Sequence, residues 1–411
     1  MPGNVFLIGP GEFIHGVPRT WTFVETQARS LADLGWAVTL SVVDDRTTTC
    51  GIARNVRRLR NEVARSGAEV VHALYGSVTA AVADTARGAL PLVVSFCGSD
   101  LLGTPEPGVL WRMRSRVSRS VGLVAAWRAQ SLVVKSHNLL TALPTPLRSS
   151  AEIIPNGVDD KVFAPLTRAD ARSKLGWSES QPVVLFNAGV NVHNKDRTCA
   201  VKNLPLAQAA MSELRQSHPL ARLETLSSAP QADVALKMSA ADCLLVTSLH
   251  EGSPNIVKEA MACNLPVVTV PCGDVEKRLA RVQPGCVAPY DAAQLASSIR
   301  HVLERSARSN GRDELLRQGL TARAVAQKLG KLYDRLRGET ALGARERCPI
   351  QAEGSHSTPL PLPRVGWRNR PRGRSRRSST LVDHRPETEE RRVVTCIRPH
   401  PPQEEEKYAA H

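Results

Sequence analysis

One stretch limits what this chain can fold into: residues 242–261, DCLLVTSLHEGSPNIVKEAM. Its apolar run, opened by the polar Asp242, predicts a buried parallel strand. Gly252 and Ser253 form a turn. Pro254 suits the first helical position, where its missing N–H costs nothing, and Ser253 is expected to cap the free amides. Ile256, Val257, Ala260 and Met261 then recur at helical spacing and predict a face turned to the sheet. Such a strand–turn–helix aims unpaired N–H groups and the positive end of a helix dipole into the crevice beyond a strand's carboxyl end. Open α/β sheets bind ligands there.

Two acids bracket the site. Glu251 stands in the turn and Glu259 inside the helix, with seven residues between them. A carboxylate beside an anion pocket is electrostatically awkward unless it pairs with hydroxyls. The reading is therefore a pyrophosphate on the amides of the helix after Pro254, with Glu251 and the backbone of Gly252, Ser253, Pro254 and Asn255 toward a sugar and Glu259 toward a ribose. The plain alternative is an ordinary βαβ unit with two surface glutamates.

In its extended form, EGSPNIVKEAMACNLPVV, this block resembles the E-x(7)-E signature of retaining family 4 glycosyltransferases of the GT-B fold. The resemblance spans roughly residues 3–337 and is strongest over 242–275. It implies an α/β protein of two facing Rossmann-like domains with parallel sheets and a site in the cleft between them. The implied reaction moves a hexose-type sugar from a nucleotide diphosphate to an acceptor hydroxyl, with retention. The donor is a nucleotide-sugar, and the acceptor is lipid-linked or a polysaccharide. Fixed cations and a helix dipole carry the leaving-group charge, so neither cofactor nor metal is expected.

The rest of the chain fits that frame. Apolar runs at 4–9, 37–43, 69–74, 91–96 and 131–134 alternate with helical patterns, as parallel sheets with crossover helices do. The expected division is 1–155 for an acceptor-side domain and 156–312 for a donor domain. A helix over 313–337 would cross back to the first domain, and a Pro- and Arg-rich tail over 338–411 is expected to be disordered. The turn IPNGVD (154–159) followed by F-x-P also resembles the family's interdomain link.

Five candidates lie in the first, acceptor-side domain. Gly11 and Gly16 lie in the glycine-rich segment 9–20, read as the first loop, where glycine gives backbone room to approach a ligand. Cys97 stands where family members often carry the His of a His-Gly pair. Asp100 follows it at the strand's carboxyl end and, with Glu251, is a candidate for the reacting centre. His72 ends a neighbouring strand. For Asp100 and His72 the ordinary alternatives are a turn-forming carboxylate and a satisfied core histidine. On the donor side the resemblance calls for a basic pair after the first strand. Lys202 is the first choice, with Arg197 or Lys195 as its partner. Gly273 and Asp274, after the next strand, are placed near the base or ribose.

Charge narrows the partners. The net charge is +15, of which the tail from Gly338 supplies only +4. A basic body favours anions: nucleotide-sugars, anionic lipid or nucleic acid. Residues 109–128 read as a basic helix with Arg112, Arg116 and Arg119 on one face and Trp111 and Trp127 at its ends, a pattern suited to anionic lipid. No apolar run reaches the ~18 residues of a membrane span, and the first residues read as a strand rather than a signal peptide. The nine cysteines form no CxxC pair and read as free thiols in a reducing compartment. The expected location is cytoplasmic, with peripheral contact at the inner membrane face and no specific nucleic acid. Other readings stay open: a non-catalytic nucleotide-sugar-binding protein, a polyanion binder, or another GT-B enzyme such as a phosphorylase or epimerase.

Overall fold

The computed structural model describes residues 2–14, 17–103, 109–189, 200–226, 229–346 and 395–397. Among them two sheets organise everything else. The first holds β1 (Asn4–Ile14), β2 (Val17–Thr20), β3 (Ala37–Val43), β4 (Val70–Ala73), β5 (Leu92–Phe96), β6 (Ser131–Val134), β7 (Ala151–Ile153) and β13 (Thr395–Ile397), in the order β13-β3-β1-β4-β5-β6-β7. The second holds β8 (Val183–Asn187), β9 (Arg222–Leu226), β10 (Cys243–Val246), β11 (Val267–Thr269) and β12 (Gly285–Val287), in the order β12-β11-β10-β8-β9. All pairings are parallel except β2 on β1 and β13 on β3. In each sheet the chain starts near the middle and reverses direction around β1 or β8, so each sheet has a switch point where a crevice opens.

The strands are near-continuous Val, Leu and Phe because helices cover both faces. Val183, Leu185, Leu244 and Val268 are fully buried in one core, and Phe6, Val71, Val94 and Leu132 in another.

Three expectations change. The glycine-rich first loop is a hairpin: β1 continues to Ile14, and Gly11 pairs with Thr20 of β2. β2 pairs only with β1, so Pro18 sits on an edge strand, where a missing N–H is tolerated. The expected helix over 313–337 is two helices, Gly311–Arg317 and Ala322–Glu346. Gly319, at φ +62°, ends the first, and Thr321 Oγ1 accepts Ala324 N–H (3.2 Å) to start the second. Within the tail, 338–346 continues that second helix and 395–397 forms β13; the expectation of disorder otherwise falls outside the described residues.

The last helix packs on the first sheet. Val325, Leu329 and Tyr333 share a core with Val5, Leu7 and Val38. Two crossings therefore join the halves, and they lie side by side. Val158 N–H donates to Leu320 O (2.9 Å) and Ala322 N–H to Val158 O (2.7 Å). Gly157 makes this approach possible: a Cβ there would lie 2.5 Å from Ala322 Cα.

Candidate active site

A cleft of about 540 Å³ opens where the two switch points face each other. From the second half it is lined by Asn187, Lys202, Gln231, Glu251, Ser253, Pro254, Asn255, Ile256 and Glu259. From the first half come Thr20, Trp21, Thr22, Phe23, Thr26 and Cys97, and from the crossing Asn156 and Gly157.

The motif builds the donor-side wall as the spacing suggests, with two changes. The helix runs Asn255–Ala262, with Pro254 as its N-cap at ψ 118° rather than its first helical residue. Ser253 makes no capping bond. Its Oγ has no hydrogen-bond partner although the residue is more than nine-tenths buried. Gly252 is needed because the turn meets the first domain backbone to backbone: a Cβ would lie 2.4 Å from Cys97 O. Asn138 Nδ2 donates to Glu251 O (3.0 Å), so the first domain also grips the turn by hydrogen bond.

Glu251 and Glu259 both line the cleft. Lys202 comes to them because Thr247 Oγ1 donates to the carbonyls of Lys202 (2.8 Å) and Asn203 (3.0 Å), fixing that segment to the end of β10. Lys202 Nζ lies 2.5 Å from Glu251 Oε1, which also accepts from Ser248 Oγ (3.0 Å). Arg197 and Lys195, the candidate partners, lie outside the described residues, as does Gly16.

Burial sets the electrostatics. It pushes the Glu259 carboxyl up to about 7, against the opposing pull of Lys258 and Lys202. Lys258, the residue before it, is almost wholly buried, and its Nζ donates to Asn156 O (2.8 Å) in the crossing. Burial brings its ammonium down to about 7, while Asp274 favours the charge. Sequence reading missed Lys258, because a lysine beside a motif glutamate reads as solvent-facing; its place one residue from a core-facing run was the available signal. Asn156, Gln231 and Thr26 were missed too. Thr26 Oγ1 and Asn156 Oδ1, like Ser253 Oγ, are buried without a protein partner.

The first-half candidates separate sharply. Cys97 lines the cleft, and burial pushes its thiol up to about 12, so it is neutral there. Asp100 does not line the cleft. Its carboxylate accepts the N–H groups of Gly76 (2.8 Å), Cys97 (3.0 Å) and Gly98 (2.8 Å), tying together the ends of β4 and β5. His72 is fully buried between Tyr333 Oη (2.6 Å) and Ser95 Oγ (2.8 Å), and burial holds its pKa well below the usual range. It is a core histidine that docks the last helix. Gly11 is part of the hairpin ladder, and the cleft wall is made by the residues that follow it, Thr20 to Thr26. Gly273 packs on the motif turn, where a Cβ would lie 2.7 Å from Gly252 O. Asp274 pairs with Arg278 (2.7 Å) and does not line the cleft. Among the described residues no group of three or more His, Cys, Asp or Glu is placed to hold a metal.

Two facing parallel sheets with a cleft between them define a class, the GT-B glycosyltransferase fold. Within it, residues 192–305 match the family model described as Glycosyl transferases group 1. Solved structures agree on the architecture. The chain is similar to the sucrose-phosphate synthase of Thermosynechococcus elongatus at 19% identity and TM-score 0.63, covering 82% of this chain and 99% of that one. It is similar to a glycosyltransferase of Rickettsia africae (14%, TM-score 0.58, 82% and 98%). It is also similar to Anabaena HepE, solved with UDP and glucose (15%, TM-score 0.52, 83% and 99%). No curated protein matches the sequence significantly.

Proposed function

We propose that this protein is a retaining glycosyltransferase that moves a hexose-type sugar from a nucleotide diphosphate donor to an acceptor hydroxyl. The observation that carries the reading is the convergence of a helix N-terminus, Lys202 and two acids on one interdomain cleft that also holds orphaned polar atoms. Buried polar groups are ordinarily hydrogen-bonded, so such atoms on a cleft wall favour a polar ligand.

In this reading the donor diphosphate lies against the amides of Asn255 to Val257. Lys202 leaves Glu251 for the leaving phosphate, where negative charge grows as the sugar departs. Glu251, released, accepts from the sugar hydroxyls, and Glu259 from the ribose. Anabaena HepE, crystallised with UDP and glucose, makes a UDP-sugar the first donor to try. The acceptor is a hydroxyl of a lipid-linked or polysaccharide chain, in envelope or exopolysaccharide synthesis. Its place is along Trp21 to Thr26 and Cys97.

Titration calorimetry with a panel of nucleotide-sugars tests the donor assignment. At least one should bind, with an affinity that falls in Glu259→Ala; equal affinity in both proteins overturns the role of Glu259. A non-catalytic binder is the second reading, favoured by Cys97 in place of a histidine. Release of sugar from a radiolabelled donor, with and without membrane extract, separates the two.

A further inference from the structure

The helix Val109–Arg128 is fixed to the first domain by one side. Gly122, Ala125 and Ala126 are buried, and Gly122 approaches so closely that a Cβ there would lie 2.0 Å from Gly76 O. The opposite side is thereby forced outward and, apart from Ser120, it is apolar. Val109, Met113, Val117, Val124 and Trp127 are each more than half exposed. At about 100° per residue these five positions fall within about 80° of one another, a single stripe along the helix. Arg112, Arg116 and Arg119, all exposed, run along one edge of it. Soluble proteins seldom expose so continuous an apolar patch unless something covers it.

The stripe does not stop at the helix. Val117 also lines a groove of about 340 Å³ whose walls include Ile52, Val56, Val121, Arg46 and Arg114. Apolar surface bordered by the exposed Arg112, Arg116 and Arg119 fits a ligand that is itself apolar with an anionic head. Among the described residues no helix is long and apolar enough to cross a membrane. None of these residues lines the cleft.

We propose that this face is a membrane-docking surface for anionic lipid, with the apolar stripe entering the interface and the arginines pairing with headgroups. An amphipathic helix lying in the membrane plane gains from both terms. The proposal goes beyond the transfer chemistry and does not depend on it.

Co-sedimentation of the full chain with vesicles tests it. With vesicles of equal parts phosphatidylcholine and phosphatidylglycerol the protein should pellet, and with phosphatidylcholine alone it should pellet far less. The triple variant Met113→Asp, Val117→Asp, Val124→Asp should lose binding about tenfold or more, and Arg112→Glu, Arg116→Glu, Arg119→Glu should lose it by a similar factor on the anionic vesicles alone. Both variants should keep wild-type nucleotide-sugar affinity and melting temperature, which separates this proposal from the transfer reading. Failure of the wild type to bind overturns it. So does binding that survives both variants, which would move the contact to another basic segment. Self-association that the apolar variant abolishes, with no vesicle binding, overturns it in favour of a second copy on this face.

Discussion

The two walls of the cleft are built in different ways. The donor-side wall comes largely from one continuous piece of chain, β10 through the Asn255–Ala262 helix, joined by Lys202 through the Thr247 hydroxyl. The acceptor-side wall is assembled by topology from Thr20–Thr26, Cys97 and the crossing at Asn156. On the donor side Lys202, Glu251 and Glu259 face the cleft, and only Asp274 among the described charged candidates there is tied up elsewhere, by Arg278. On the acceptor side the charged and titratable candidates are consumed by architecture: Asp100 by three backbone amides, His72 by Tyr333 and Ser95. Charge near a cleft is therefore a poor guide to function until its hydrogen-bond partners are counted.

The sharpest test of that contrast compares Lys202→Ala with Asp100→Ala. Removing Lys202 takes a cation from the growing leaving-group charge. Turnover should fall roughly 10²–10³-fold, as when a single charge-stabilising donor is lost elsewhere, with little change in melting temperature. Steady-state kinetics and a thermal melt read the two. Asp100→Ala should do the reverse. Three buried N–H groups lose their acceptor, which costs about 3 kcal/mol of stability or more in denaturant unfolding, while donor affinity per folded molecule stays at the wild-type value. Equal loss of affinity in both variants would erase the distinction between the walls.

A smaller effect is expected from pH. The Glu259 carboxyl titrates near 7 in the fold against an ordinary value of 4.5. Below pH 7 it is protonated and cannot accept from both ribose hydroxyls. Donor affinity should then fall by up to about tenfold per pH unit, the slope of one required deprotonation. The stability sign is opposite. A raised carboxyl costs the fold nothing below 4.5, where it is protonated folded and unfolded, and costs most above 7, where it is ionised in both. Glu259→Gln should flatten the affinity profile measured by calorimetry and stabilise the free protein at pH 8 but not at pH 4. A profile unchanged by that substitution would move the titration to another group.

The same contrast explains what the sequence made legible. Strands β3 and β6 match the apolar runs read from the sequence, because a strand buried on both faces is mostly Val and Leu, with only small polar residues such as Thr39 and Ser41 between. The motif helix was equally plain. What was not plain depended on distant partners. Gly11 belongs to a strand only because Thr20 returns to pair with it. The Cys97 carbonyl leaves no space for a side chain at position 252, and nothing near Gly252 in the sequence says so. The role of His72 required Tyr333, 261 residues away.

Ser253 gives the smallest effect and separates two uses of a polar residue on one wall. A capping serine stabilises its helix, and its loss costs about 1 kcal/mol. Ser253 does not cap, and its buried hydroxyl is unpaired. Ser253→Ala should therefore leave the free protein as stable as before or slightly more so, since an unsatisfied hydroxyl is removed. It should weaken nucleotide-sugar binding about three- to tenfold, the worth of one neutral hydrogen bond. A melt without ligand and a titration with it give the two signs separately. If the variant melts lower and binds as well as wild type, the hydroxyl serves the turn and not the ligand, and the donor-side wall would be using a polar group as the acceptor-side wall does.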